Sequence, residues 1–160
     1  MQNNADEPYI SRETEKTLND EEIFMKHLYD IYFITCTKMP PGFILDFFMT
    51  GGGLTEGKAV AEFKQRKMDS INQYDDKGGI FVNEKKITRM KLLKRLYNIS
   101  GYIFIGLTGG GYYKCKVDDI NFKHMKVSVN DNLYGGFNRG GEKDRQLTFT
   151  IPSHNFSNLW

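Results

Sequence analysis

Two strand-length segments joined by a glycine turn place the strongest constraint on how this chain folds. Residues 43–49 read FILDFFM, an apolar run of strand length, and residues 58–66 read KAVAEFKQR. Between them, residues 51–53 are three consecutive glycines, a composition that favours a turn. The two segments therefore predict a β-hairpin.

The hairpin carries charged residues in positions where an apolar strand would ordinarily have none. Alternation along residues 58–66 predicts one face with Val60, Glu62, Lys64 and Arg66 and an opposite face with Ala61, Phe63 and Gln65. The preceding strand carries a lone acid, Asp46, among apolar side chains. A buried carboxylate is costly unless it is paired with a cation or bound to a metal.

Hairpin pairing is expected to bring Asp46 and Glu62 together. Carboxylate oxygens are ligands that Mg²⁺ prefers, Mn²⁺ can take its place, and the backbone carbonyl of Phe63 is a candidate third ligand. Such an ion polarises a scissile phosphate, while Lys64 would stabilise the negative charge of the transition state. The alternative is a structural ion pair between an acid and Lys64 that ties the two strands together.

The first helix is predicted over residues 19–34, with Asn19 or Asp20 as its N-cap. The MPPG segment at residues 39–42 is expected to end it, because proline cannot continue a helix. Helical spacing puts five residues on one inward face: Glu21, Phe24, Met25, Leu28 and Tyr32.

The second half of the chain predicts a basic helix and further strands. The helix covers residues 87–98, ends at Ser100-Gly101, and is expected to bury Met90, Leu93, Leu96 and Tyr97. Strands are predicted over 102–107, 112–117 and 124–129, with a glycine-rich loop over 130–145, whereas residues 67–85 have no clear pattern. The order α-β-β-α-β-β predicts an α/β fold with a central mixed β-sheet flanked by helices.

Residues 52–58 come close to a phosphate-binding loop but do not satisfy its requirements. Gly52, Gly57 and Lys58 have the motif's spacing, but Ala59 stands where the motif needs a hydroxyl to hold Mg²⁺. The following residues read as a strand, whereas the motif must open a helix. No nucleotide cofactor is therefore expected, and the glycines are assigned to the hairpin turn.

Cysteine and histidine usage argues against zinc and against a disulfide framework. Cys36 and Cys115 are far apart and in no CxxC pairing, and His27, His124 and His154 share no ligand spacing. An oxygen-liganded ion is therefore the only metal that the sequence favours.

Charge is distributed unevenly along the chain. Residues 1–57 hold 4 Lys/Arg and 10 Asp/Glu, whereas residues 58–126 hold 15 Lys/Arg and 7 Asp/Glu. A basic middle segment indicates an anionic partner such as nucleic acid, although six of these basic residues lie in 84–95 and would also suit a solvated helix.

The length of 160 residues fits one domain, predicted over 11–160 with residues 1–10 as a flexible tail. The N-terminal segment is polar and acidic, unlike a secretory signal, and no stretch reaches the roughly 18 apolar residues of a membrane span. We therefore expect a cytoplasmic protein with no membrane partner.

The spacing of a lone acid, 15 residues and Glu-x-Lys on adjacent strands resembles the PD-(D/E)xK nuclease superfamily. The likeness covers roughly residues 15–130 and includes the basic helix with the strands after it, although Leu45 replaces the motif's proline. It implies a restriction-endonuclease-like core and a metal-dependent phosphodiesterase, in which Glu21 matches the helix acid of resolvase-like members. Residues 135–145 resemble small phage-encoded members, which implies the cytoplasm of a bacterial host.

These observations favour a Mg²⁺-dependent DNA endonuclease with Asp46, Glu62 and Lys64 at its centre. Glu21, which shares the apolar helix face, is favoured over Glu22 as the supporting acid. The candidate phosphate contacts are Lys58, Arg66, Lys86 and Arg89. The alternatives are a non-catalytic nucleic-acid-binding or structural protein with the nuclease fold, and an exonuclease or RNase of that fold. Cutting both strands usually takes two sites, so a homodimer is a further expectation.

Overall fold

The computed structural model describes residues 15–40, 42–131 and 145–159, which form two α-helices, nine strands and several short 3₁₀ helices. In chain order the α-helices and strands are α1 (Glu15–Tyr32), β1 (Ile34–Lys38), β2 (Phe47–Gly51), β3 (Lys58–Arg66), β4 (Ile80–Asn83), α2 (Glu84–Tyr97), β5 (Ser100–Leu107), β6 (Tyr112–Lys116), β7 (Lys126–Asp131), β8 (Arg145–Ile151) and β9 (Ser157–Asn158). The first eight of these elements contain the predicted α-β-β-α-β-β series, with β1 and β4 as additions.

A six-stranded sheet in the order β1-β2-β3-β5-β6-β9 forms the centre of the fold. The β3–β5 pair is parallel and its other pairs are antiparallel, so the sheet is mixed. One apolar cluster lies between this sheet and α1, and a larger one packs on the opposite face with α2 and the second sheet, β4-β8-β7. The predicted mixed sheet flanked by helices is confirmed.

Helix α1 has the predicted inward face but different ends. Phe24 and Leu28 are buried, and the Phe24 ring stacks on Phe63 at 4.4 Å between centroids. The N-cap prediction is wrong, because Asn19 and Asp20 lie inside a helix that already includes Glu15. Both are tolerated there because neither is among the buried residues of the helix.

The predicted end of α1 at residues 39–42 is also wrong. The helix ends at Tyr32, and Phe33 adopts a left-handed backbone with φ 55°. Strand β1 follows immediately and pairs with β2 from Ile34↔Gly51 to Lys38↔Phe47. Two threonines in the ITCTK segment favour an extended strand over another helical turn, and the sequence prediction missed this strand.

The hairpin of β2 and β3 is antiparallel as predicted, and β3 has the predicted bounds. Strand β2 begins at Phe47 and not at residue 43, because the chain bends before it. At Gly51 a Cβ atom would lie 2.1 Å from the Phe33 carbonyl oxygen, so only glycine allows this close approach of two backbones. Residues 58 onward are strand, which agrees with the turn assignment of the glycine-rich segment.

Helix α2 begins three residues earlier than predicted. The Asn83 side chain accepts the Lys85 backbone N–H at 2.8 Å and so caps the helix. The predicted stop at Ser100-Gly101 is wrong, because Asn98 ends the helix in a left-handed conformation and residue 100 already belongs to β5.

The inward face of α2 is only partly as predicted. Met90 is buried and Leu93 packs beside it, but Leu96 and Tyr97 are 56% and 61% exposed, which contradicts their predicted burial. The buried residues of α2, Ile87 and Met90, lie in its first half, so its last turn carries apolar side chains into solvent.

The remaining elements differ in how far the sequence predicted them. Strand β6 has the predicted bounds to within one residue, β5 begins two residues earlier than predicted, and β7 is shifted by two residues. Residues 67–85, which had no clear pattern, contain a 3₁₀ helix over Ile71–Lys77 and strand β4, whose partner β8 is distant in sequence. The predicted tail and most of the predicted 130–145 loop lie outside the described residues. Within the described ranges, no helix is long and apolar enough to cross a membrane.

Candidate active site

Asp46 lies at the point where β2 stops pairing with β3. The last paired residues are Phe47 and Ala61, and the Asp46 backbone N–H still donates to the Ala61 carbonyl at 3.0 Å. Its carbonyl accepts from the Met39 N–H at 2.8 Å, which holds the backbone from the other side. One residue pair further, the Asp46 Oδ2 accepts the Phe63 N–H at 2.9 Å. The Asp46 side chain thus replaces the backbone hydrogen bond that β2 no longer provides.

Glu62 occupies the neighbouring position on β3 and is only 2% exposed. Its Oε1 lies 3.1 Å from the Lys64 Nζ, and its Oε2 contacts the Nζ of Lys86, which α2 supplies. The predicted alternation of β3 is confirmed, because Val60 belongs to the core on the α2 side while Ala61 and Phe63 belong to the core on the α1 side. We refer to Asp46, Glu62, Lys64 and Lys86 as the carboxylate centre.

The two acids of the carboxylate centre have opposite pKa shifts. Burial and the nearby negative charge of Glu62 raise the pKa of Asp46 to about 7. Burial also acts to raise the pKa of Glu62, but the positive charges of Lys64 and Lys86 outweigh it and lower this pKa. Below about pH 7 the Asp46 carboxyl is therefore mostly protonated beside an ionised Glu62.

The donor chemistry of the centre fits a hard divalent cation. The described residues contain no group of three His, Cys, Asp or Glu side chains that could hold a metal by themselves. Mg²⁺ does not require one, because it is usually bound through one or two carboxylates and keeps several waters. The Glu62 Oε2 is buried and makes no hydrogen bond within the described chain, since its contact with Lys86 is an ion pair without hydrogen-bond geometry. A buried carboxylate oxygen that already contacts one ammonium group is a position that a divalent cation could also occupy.

The backbone at Phe63 adds a third oxygen on the same side. Ala61 directs its carbonyl toward β2, where Asp46 donates to it. Residues two apart on a strand direct their backbone groups to the same side, so the Phe63 carbonyl also faces the position that β2 has left. Asp46, Glu62 and the Phe63 carbonyl could thus hold a cation between them.

Glu21 is buried, as its helical register predicts, whereas Glu22 is exposed. Its carboxylate forms an ion pair with Lys38 of β1 at 2.7 Å. Lys38 pairs with Phe47, the residue after Asp46, so Glu21 reaches the same end of the sheet as the carboxylate centre. It does so from the α1 side, whereas Glu62 and Lys64 project on the α2 side.

Two lysines of this region have roles that the sequence prediction did not assign. Lys86 was a candidate phosphate contact, yet it is part of the carboxylate centre, and Lys38 was not singled out at all. A signal for Lys86 did exist, because it precedes Met90 by four residues and Leu93 by seven, which puts a lysine on the apolar face of α2. No local pattern marks Lys38, since only the pairing of β1 with β2 brings it to Glu21.

The other three candidate phosphate contacts lie at different distances from the centre. Arg66 shares the β3 face of Lys64 and donates to the Gln65 carbonyl at 2.9 Å. Arg89 is exposed one helical turn after Lys86. Lys58 begins β3, and at about 3.3 Å per residue it lies roughly 20 Å from Lys64 along the strand. The structure brings Arg66 and Arg89 toward the centre but not Lys58.

Comparisons with known proteins give a structural likeness but no match in sequence. No family model matches the chain, and no curated protein matches it. Among solved structures, it is similar to Hjc, a Holliday junction resolvase from Archaeoglobus fulgidus, with a TM-score of 0.49 and 8% identity over 83% of this chain and 87% of that chain. At this level the likeness shows neither a family nor a function for this chain.

Proposed function

We propose that this protein is a Mg²⁺-dependent nuclease that hydrolyses phosphodiester bonds of DNA, with the carboxylate centre as its active site. One observation carries the proposal: two carboxylates and two ammonium groups meet where β3 loses its partner β2, and Glu62 is almost fully buried there. A purely structural ion pair needs one acid and one base, whereas this centre holds a second acid, Asp46, with a raised pKa. Perturbed acids in such a cluster are typical of functional sites.

The residues of the centre have separate tasks in the proposed reaction. Asp46 and Glu62, with the Phe63 carbonyl, would hold the cation, which supplies Lewis-acid polarisation of the scissile phosphate. The Phe63 N–H fixes the Asp46 carboxylate through the 2.9 Å hydrogen bond. Lys64, anchored 3.1 Å from Glu62, stabilises the additional negative charge that develops on the phosphate. Exposed Arg89 and partly buried Arg66 would contact neighbouring phosphates and position the duplex.

A nicking assay on closed circular DNA tests this proposal. With Mg²⁺ or Mn²⁺ the wild type should convert supercoiled plasmid into nicked and linear forms, and EDTA should stop the reaction. Asp46→Asn should be inactive under the same conditions. Full activity in EDTA, or in Asp46→Asn, would remove the centre from the mechanism.

The same assay separates the alternatives. A closed circle has no ends, so its cleavage requires endonuclease action, whereas cleavage of linear duplex alone would indicate an exonuclease. Cleavage of RNA but not DNA would indicate an RNase. A protein that binds duplex DNA but cleaves neither substrate and binds no divalent cation would be the non-catalytic binder.

Cleavage of both strands of a duplex further suggests a homodimer, because each centre can act on one strand at a time. The mass of the protein in light scattering, with and without duplex DNA, tests this part of the proposal. A monomeric mass in both conditions would contradict it.

A further inference from the structure

The Lys86 ammonium contacts Glu62 Oε2, one of the oxygens that would bind a metal ion in the carboxylate centre. Glu62 is already paired with Lys64 through Oε1 at 3.1 Å, and Lys86 contacts Oε2, which makes no hydrogen bond in the described chain. Each oxygen of the Glu62 carboxylate is therefore paired with a different lysine. The second ammonium is more than a structural ion pair requires.

We propose that Lys86 is an internal competitor for the divalent cation: it holds Glu62 in place before the cation binds and must leave Oε2 when the cation arrives. This inference rests on the proposed function. A Lys86 ammonium in contact with Oε2 and a cation bound to the same oxygen exclude each other, because like charges repel strongly at this separation. The metal-free centre would thus remain compact and partly neutralised.

The position of Lys86 allows it to leave. It lies in the first turn of α2, and its side chain is 24% exposed, against 3% for Glu62. A lysine side chain has four flexible methylenes, so its ammonium can move several ångströms into solvent while its stem stays packed. Its neighbour three residues later on the helix surface is the exposed Arg89. The displaced ammonium would therefore lie beside Arg89, where the two positive charges could bind a phosphate.

A Mn²⁺ titration by calorimetry or by electron paramagnetic resonance tests this without any measurement of cleavage. Lys86→Met keeps the stem of the side chain and removes the competing charge, so Mn²⁺ should bind about tenfold tighter than to the wild type. Lys85→Met is the matched control, because Lys85 is the exposed neighbour on the same helix. Its affinity for Mn²⁺ should stay within about twofold of the wild-type value.

Lys86→Arg supplies a second variant that keeps the charge and the fold. A guanidinium can bind a carboxylate through two parallel hydrogen bonds, so it should compete at least as well as lysine and leave Mn²⁺ affinity unchanged or weaker. We therefore expect Mn²⁺ to bind most tightly to Lys86→Met, less tightly to the wild type, and no more tightly to Lys86→Arg than to the wild type.

The outcomes separate this inference from the proposed function. Equal or weaker Mn²⁺ binding by folded Lys86→Met, with clear binding by the wild type, would overturn the inference alone, since Lys86 would then only position Glu62. Absence of Mn²⁺ binding in every variant would overturn the metal site and the proposed function with it. Binding that is detectable only in Lys86→Met would support the inference in its strongest form.

Discussion

The carboxylate of Asp46 accepts the backbone N–H of Phe63 at 2.9 Å, at the place where β3 loses its partner strand β2. A side chain thus completes the hydrogen bonding of a strand and at the same time stands beside Glu62. The bond orients the Asp46 carboxylate beside Glu62, where the two acids could bind a cation together. Asp46 therefore acts in two ways: it accepts a hydrogen bond from the backbone, and it carries a negative charge.

Asp46→Asn should separate these two properties. An amide oxygen can still accept the Phe63 N–H, so the melting temperature should not fall, and near pH 7 it should rise because the variant buries no charge at this position. The lost charge should abolish metal binding and reduce cleavage by about 10²-fold or more, since a bound cation contributes several kcal/mol to transition-state stabilisation. Asp30→Asn is the control, because Asp30 pairs with Lys26 on the exposed side of α1. A variant that melts normally and cleaves at the wild-type rate would contradict the assignment of Asp46.

Lys64→Ala should affect chemistry more than stability. Breaking a lone buried ion pair costs about 3–5 kcal/mol, but Lys86 still neutralises Glu62 in this variant, so the loss should be smaller. Cleavage should fall by about 10²–10³-fold, the range for removal of one group that stabilises transition-state charge. DNA binding measured in Ca²⁺ should survive. Parallel losses of melting temperature, binding and cleavage would instead favour a structural ion pair.

Glu21→Gln should lower both activity and stability, whereas Glu22→Gln should lower neither. Glu21 is buried and pairs with Lys38 at 2.7 Å, so its neutral variant loses a buried, charged hydrogen bond between α1 and β1. Hydrogen bonds to charged groups contribute about 1.5–3 kcal/mol, and the unfolding free energy should fall by an amount on that order. Urea unfolding and plasmid nicking should be measured on both variants. If cleavage falls only in proportion to the unfolded fraction, Glu21 supports the fold and not the reaction.

The stability of the metal-free protein should fall as pH rises from about 4 to about 7. Asp46 has an ordinary pKa of 3.8 when unfolded, and burial raises it to about 7 in the folded chain. Between these values the folded state binds more protons than the unfolded state, so each rise in pH favours unfolding. The stability that protonation of Asp46 contributes is fully present below about pH 4 and is lost above about pH 7.

Urea unfolding in EDTA from pH 4 to pH 8 checks this dependence, with Asp46→Asn as the comparison. The difference in unfolding free energy between the two proteins should change with pH over this range and level off above it. Because a cation displaces the same proton, Mg²⁺ affinity should rise with pH up to about 7. A pH-independent difference between the two proteins would show that Asp46 titrates normally.

Local sequence patterns were sufficient for the parts of the site that one element carries alone. The two-residue period of β3 put Glu62 and Lys64 on one face, and the 3.6-residue period of α1 put Glu21 with Phe24 on the inward side. These periods follow from backbone geometry, so they can be read before any partner is known. The glycine turn likewise made the hairpin with Asp46 predictable.

Tertiary structure decided the parts that depend on which elements become neighbours. Strand β1 was missed because its ITCTK segment follows a helix without a strong pattern, and only its pairing with β2 brings Lys38 to Glu21. Lys86 reaches Glu62 because α2 crosses the sheet between β3 and β5, which are parallel neighbours despite the 33 residues that separate them. No repeat within a single helix or strand predicts such contacts, since they arise when the apolar face of one element packs against another element. The sequence by itself therefore determined which residues share a face, and the packing of α2 on the sheet decided which charges meet.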